Sequence, residues 1–255
     1  MITVRFTVFG GVGAWVADRE VDLGQAQRRA VLGVLLVTPG VAVGADELVD
    51  RVWGAAAPER ARGQLRTWLW RLRQAVPGVI SREGSGYVAR VDPLSVDLHR
   101  FRALAATDPG AALALAQEPL LSTLDTPWAR QLRASFAAEF EAVRRDHVDA
   151  RLQAGGHAEL VDELRLQASG QPLDERVAAQ LVEALHGTGR TQEALAHLDS
   201  VVARLASELG AEPGGLLTTV RRRLLAARGS CPRPKPFTGR AAELAALDRA
   251  PAGSW

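Results

Sequence analysis

The pattern of apolar residues changes once along this chain, near residue 95, and that change restricts its architecture more than any other feature. Before it, short β-branched runs alternate with amphipathic helical stretches. From about Asp97 onward, Ala, Leu and Arg dominate, strand signals vanish and helical periodicity is continuous. An α+β module over residues 1–93 and an all-α module over 94–228 are therefore expected, followed by a proline-rich linker and a short further segment over 229–255. The 255 residues and 47% hydrophobic content suffice for two modest cores.

Within the first module, residues 2–9 alternate with period two, and glycines 10, 11 and 13 punctuate them. Residues 14–17 and 20–23 read as further short strands. A helix is expected over 25–37, stopped by Pro39-Gly40, and a short extended piece at 41–43 leads into a second helix over 45–53. In that helix Leu48, Val49 and Val52 turn inward, while Asp46, Glu47 and Asp50 oppose the dipole at its start. A third helix is expected over 58–76 with Pro58 in its first turn, where a missing N–H costs nothing. Residues 79–91 then form two strands around a Gly-rich tip. Three strands, three helices and a terminal hairpin is the order of a winged helix-turn-helix with an added N-terminal sheet.

The third helix carries the most pointed chemistry. Between Glu59 and Glu83 lie six arginines and no acidic residue, five of them on this helix. Leu65, Leu69, Leu72, Val76 and Ala61 form one apolar stripe. Thr67, Trp70, Arg71 and Gln74 point away from it, and Gln64, Arg66 and Arg73 flank it. Arg can fork onto guanine, Gln onto adenine, and further Arg can reach phosphates, so such a face suits a major groove. An ordinary solvated face would look the same on an isolated helix.

Three short runs narrow the choice: Leu48-Val49-Asp50-Arg51-Val52-Trp53-Gly54, Arg71-Leu72-Arg73 and Gly86-Tyr87. Together with Ala61-Arg62, they resemble the response-regulator (OmpR/PhoB-type) winged helix, as found in the Streptomyces antibiotic regulatory protein (AfsR/DnrI/RedD) family. The resemblance covers roughly residues 2–228. It implies a recognition helix over 58–76, with Arg71 and Arg73 contacting DNA, and a wing at Gly86-Tyr87, with Arg82 as its contact. The candidate DNA-binding residues are thus Arg60, Arg62, Gln64, Arg66, Thr67, Trp70, Arg71, Arg73 and Gln74, with Arg82 and Tyr87 on the hairpin. Arg28 and Arg29 are candidates for backbone contacts. The loop Gly54, Ala55, Ala56 and Ala57 corresponds to a segment that related regulators present to RNA polymerase.

The chain departs from the family at Gly63, Gln64 and Trp70, where small polar residues are usual. Gly63 costs the helix about 1 kcal/mol relative to Ala, unless close approach to DNA is its reason. Trp70 is expected to pack, or to touch a groove edge, rather than to read a base.

The second module contains an echo: Gly155-Gly156-His157-Ala158-Glu159-Leu160 is followed 34 residues later by Gly189-Arg190-Thr191-Gln192-Glu193-Ala194. Small residues opening a helix at this period match tetratricopeptide (TPR) repeats, whose helical pairs stack because none buries its apolar face alone. The strings 170–176 and 208–214 match the family's bacterial transcriptional activator domain. The resemblance implies a TPR-like domain that contacts the winged helix and supports self-association. Trp128 and Phe136 are expected in an interdomain core.

Near the end, Cys231-Pro232-Arg233-Pro234-Lys235-Pro236 reads as a stiff linker. Residues 237–244 resemble the opening of the ATPase modules of larger family members. Lys235 is the only lysine, so no phosphate-binding loop can be drawn. A fragment of a longer regulator and a short form with a vestigial stub both fit.

Other classes fare poorly. Net charge is only +2, so any basic surface is local. One cysteine permits no internal disulfide, the histidines lack metal-ligand spacing, and no nucleophile elbow is present. No cofactor is expected. Neither a signal peptide nor a membrane span is legible, which points to a cytoplasmic protein. The expected partners are double-stranded promoter DNA, carrying direct repeats read by a homodimer, and RNA polymerase through its sigma factor, its alpha subunit or both. A TPR-type interaction module, or the sensor arm of an ATPase switch, is the alternative.

Overall fold

Three strands open the chain. β1 (Val4–Thr7), β2 (Gly13–Val16) and β3 (Arg19–Glu20) form an antiparallel meander in that order. Phe6 stands opposite Ala14 and both are buried. The computed structural model describes residues 4–229. The strand expected over 20–23 shortens to two residues. The Val21 N–H still reaches the Ala14 carbonyl at 2.9 Å, but the Asp22 carboxylate then accepts from the Gly24 N–H at 2.7 Å and turns the chain.

α1 (Ala26–Val37) is buried from Ala30 to its last residue and forms the centre of the first core. Gly33 permits this depth. A Cβ there would stand 2.6 Å from a Val12 methyl and 2.7 Å from a Leu121 methyl. β4 (Val43–Gly44) leads into α2 (Ala45–Trp53), which Gly54 ends at φ +56°. α3 (Ala61–Ala75) buries Ala61, Leu65, Trp68, Leu69 and Leu72, with Val76 continuing the stripe. Pro58 lies before α3, not in its first turn. Residues 58–60 make a separate turn closed by the Ala61 N–H on the Pro58 carbonyl at 2.9 Å, and Arg60 takes the N-cap position.

β5 (Ile80–Glu83) and β6 (Gly86–Ala89) form the expected hairpin and, with β4, a second sheet in the order β4-β6-β5. Gly86 has a steric cause: a Cβ would meet the Val43 carbonyl oxygen at 2.7 Å.

α4 (Asp97–Leu104), α5 (Pro109–Leu115) and most of α6 (Pro127–Gln153) complete the same compact unit. The buried Asp97 carboxylate accepts from the Val8, Phe9 and Leu98 N–H groups at 2.8–3.1 Å. Leu121 and Ser122 bond back to Val8 and Gly10. Phe101, Phe136 and Phe140 gather with Phe9 at centroid spacings of 5.0–6.3 Å. Trp128 packs partly buried against this core. The pattern change near residue 95 is thus a change of secondary structure. The compact units part at 150/151.

The second unit is helical throughout its described residues: α7 (His157–Gly170), α8 (Glu175–Gly187), α9 (Thr191–Arg204) and α10 (Gly215–Gly229). The 34-residue echo has a backbone basis, since Gly155 and Gly189 both turn into the next helix at φ +88° and +81°. Asp174 caps α8 by accepting from the Arg176 and Val177 N–H groups. Leu160, Leu164, Leu181, Leu185, Leu198 and Leu224 are among its core residues. Among the described residues no helix is long and apolar enough to cross a membrane. The proline-rich run at 231–236 and the ATPase-like opening at 237–244 lie outside the described residues.

Candidate nucleic-acid interface

α3 is held by its back so that its front stays free. Its stripe sinks into the core, and Trp68 lies on Trp53 of α2 with ring centroids 5.0 Å apart and planes at 13°. Trp68 escaped the sequence reading, although it falls three residues after Leu65 and four before Leu72. Trp70 is 60% exposed.

On the opposite face, Gly63, Thr67, Trp70 and Gln74 run down the middle of the helix. Arg60, Gln64 and Arg71 line one side and Arg66 the other, and all of these except half-buried Gly63 are exposed. No acidic residue lies on the helix. Among the described residues, the side chains of Arg60, Arg66 and Arg71 form no ion pair, nor does Arg82 on β5, which is also exposed. Their guanidinium donors face water. A surface of this kind can exchange water for phosphate oxygens and base edges without first breaking internal bonds.

The remaining candidates are engaged within the fold. Arg62 forks onto Asp46 of α2, Nε to Oδ1 at 2.5 Å and Nη2 to Oδ2 at 2.6 Å, on an exposed flank. Arg73 is half-buried, donates through Nε to the Ile80 carbonyl at 3.0 Å and lies 5.6 Å from the Tyr87 ring centre. Arg73 and Tyr87 therefore join the helix to the hairpin. Arg28 is also half-buried and donates to the Leu23 carbonyl, its guanidinium filling the space a Cβ on Gly24 would need. Arg29 is half-buried and, among the described residues, forms no ion pair.

The loop after α2 is a single 3₁₀ turn, Gly54–Ala56, with Ala55, Ala56 and Ala57 exposed. It has a support that sequence alone did not suggest. The buried Thr126 hydroxyl donates to the Arg51 carbonyl at 2.8 Å, and the Arg51 guanidinium sits 5.0 Å from the Trp128 ring centre. The start of α6 thus braces the end of α2, a pairing between residues 75 positions apart.

This architecture has solved and sequenced counterparts. The bacterial transcriptional activator domain family matches residues 96–225. Transcriptional regulator RedD of Streptomyces coelicolor is 30% identical over 248 residues, a match covering 88% of this chain and 71% of RedD. The chain belongs to the AfsR/DnrI/RedD family. Regulatory protein AfsR of Streptomyces griseus is 32% identical over 247 residues, covering 91% of this chain, which spans about a quarter (25%) of AfsR. The fold is shared with Mycobacterium tuberculosis EmbR, solved in complex with a low affinity phosphopeptide. The TM-score is 0.74 at 24% identity, over 89% of this chain and 66% of that one. The relatives of this AfsR/DnrI/RedD protein carry the names regulatory protein and transcriptional regulator.

Proposed function

We propose that this protein is a sequence-specific DNA-binding transcriptional activator whose first unit contains a winged helix-turn-helix of the OmpR/PhoB type. α3 enters the major groove, where Arg60, Gln64, Arg71 and Gln74 reach base edges while Arg66 contacts phosphate. The β5–β6 hairpin is the wing, and Arg82 reaches the neighbouring backbone. Arg62, once released from its exposed pair with Asp46, adds a phosphate contact. Arg29 is a weaker one. Arg73, Tyr87 and Arg28 fix the geometry of the reading elements.

Two protomers bind direct repeats in a promoter, and the TPR-like second unit supports their pairing. The braced turn at Gly54–Ala57 is offered to RNA polymerase. The family's history with antibiotic regulators suggests secondary-metabolite genes as targets.

One observation carries this reading: the front of α3 presents unpaired arginines and two glutamines with no carboxylate among them. Mobility shifts of the full chain on promoter fragments from its own genomic neighbourhood test it. A specific complex that Arg71→Ala weakens supports the reading. Absence of any complex above non-specific binding on all of those promoters contradicts it.

A further inference from the structure

A cavity of about 580 Å³ lies alongside β1, the strand that ends its sheet. Val4, Phe6, Val79, Val91 and Leu94 form its apolar wall, while Arg5, Arg90 and Arg100 face a single carboxylate, Asp92. A second hollow of about 370 Å³ shares Arg5, Phe6 and Arg100 and adds Trp15, Leu115 and Asp97. Volumes of this order are those of small-molecule sites, where apolar walls supply area and a few polar groups fix orientation.

The three arginines are not equivalent. Arg5 and Arg90 hold exposed acids, Asp18 at 3.3 Å and Glu83 at 2.6 Å, in pairs open to solvent. Arg100 is half-buried, and among the described residues its side chain makes neither a hydrogen bond nor an ion pair. The buried carboxylate that feels its charge, Asp97, spends its oxygens on the backbone of Val8, Phe9 and Leu98. A guanidinium with unspent donors between two hollows, the larger walled by apolar side chains, favours a planar anion that can accept two parallel bonds.

We propose that this cavity binds a small amphipathic anion, an apolar molecule bearing one carboxylate, with the carboxylate on Arg100 and Arg5 and the apolar body against Phe6, Val79 and Leu94. Pro77, Gly78 and Val79 connect α3 to the hairpin, and Arg90 leaves the hairpin. Occupancy would therefore bear on the elements assigned to DNA, a consequence that rests on the function proposed above. Binding itself does not depend on that function.

The test uses the full chain without DNA. It is titrated with 8-anilinonaphthalene-1-sulfonate, and the probe is then displaced with decanoate, decan-1-ol or decylamine. One saturable site is expected, with decanoate at least tenfold more effective than decanol and decylamine inert. Arg100→Gln should weaken decanoate tenfold or more. Leu94→Glu, which sets a carboxylate at the exposed mouth without disturbing the core, should do the same at an unchanged melting temperature. No saturable uptake, equal displacement by decanol and decanoate, or full decanoate affinity in the folded Leu94→Glu chain overturns the proposal.

Discussion

The guanidinium of Arg73 lies 5.6 Å from the ring centre of Tyr87 while its Nε bonds the Ile80 carbonyl. Arg71, two residues earlier, is exposed and has no such partner among the described residues. The two arginines of one short motif thus sit in different settings. Arg73→Ala should lower folding stability by about 1–2 kcal/mol, from the lost hydrogen bond and cation–π contact. Arg71→Ala should leave stability within about 0.5 kcal/mol and weaken operator binding by about 1–3 kcal/mol. Thermal melts beside binding titrations on both variants separate the roles. Equal melting temperatures for the two would remove the distinction.

Gly63 has no internal reason to be glycine. A Cβ built there meets nothing within 4 Å, and the residue sits in the body of α3. Gly63→Ala should therefore stabilise the protein by about 0.5–1 kcal/mol. If DNA approaches the helix closely at this point, the same substitution should weaken binding. A variant that is both more stable and an equally good binder would show that nothing comes near.

Adjacent tryptophans should behave in opposite ways. Trp68 is buried against Trp53, so Trp68→Ala should cost about 3–5 kcal/mol. Trp70→Ala should leave stability within about 0.5 kcal/mol, since the side chain is 60% exposed. Urea unfolding of the two variants is the measurement. A large loss for Trp70→Ala would mean that the exposed ring packs somewhere after all.

Acidification should destabilise the fold through two half-buried histidines. Burial pushes His99 below its ordinary value of 6.5, against the bond to the Leu36 carbonyl, and burial does the same to His197 against the charge of Glu193. Between 6.5 and each depressed folded value the unfolded chain binds more protons, so stability rises with pH and falls as pH drops through that window. Asp97 acts in the other direction. Burial raises its carboxyl above the ordinary 3.8, so that contribution is present at low pH and lost as pH rises through the folded value. Melting temperatures from pH 7 to pH 5 should decline, and His99→Asn should flatten the decline. An unchanged slope in that variant would assign the effect elsewhere.

Local pattern made much of this molecule legible. The stripe 65-69-72, the acidic start of α2 and the Gly86-Tyr87 hairpin are short-range features, and each appears where periodicity or turn chemistry puts it. What escaped was long-range. Asp97 bonds Val8 and Phe9 nearly ninety positions away, and Thr126 braces Arg51. Neither has a local signature, and together they show why helices after residue 95 join the first core. Arg73 came forward as a DNA contact through the family's Arg-Leu-Arg, and Arg28 through its place at the start of the first helix. Only the neighbouring Ile80 and Leu23 carbonyls reveal their internal bonds.

The most direct measurement is salt-dependent fluorescence anisotropy of the full chain on its promoter, comparing wild type with an Arg60→Ala, Arg66→Ala, Arg71→Ala triple variant. If six to ten phosphates are neutralised, wild-type affinity should fall about 10³ to 10⁵-fold between 50 and 200 mM salt. The triple variant should bind more weakly and with a shallower slope. A tight promoter complex with the same affinity and salt slope in both proteins would contradict the assignment of α3 as the DNA-reading surface.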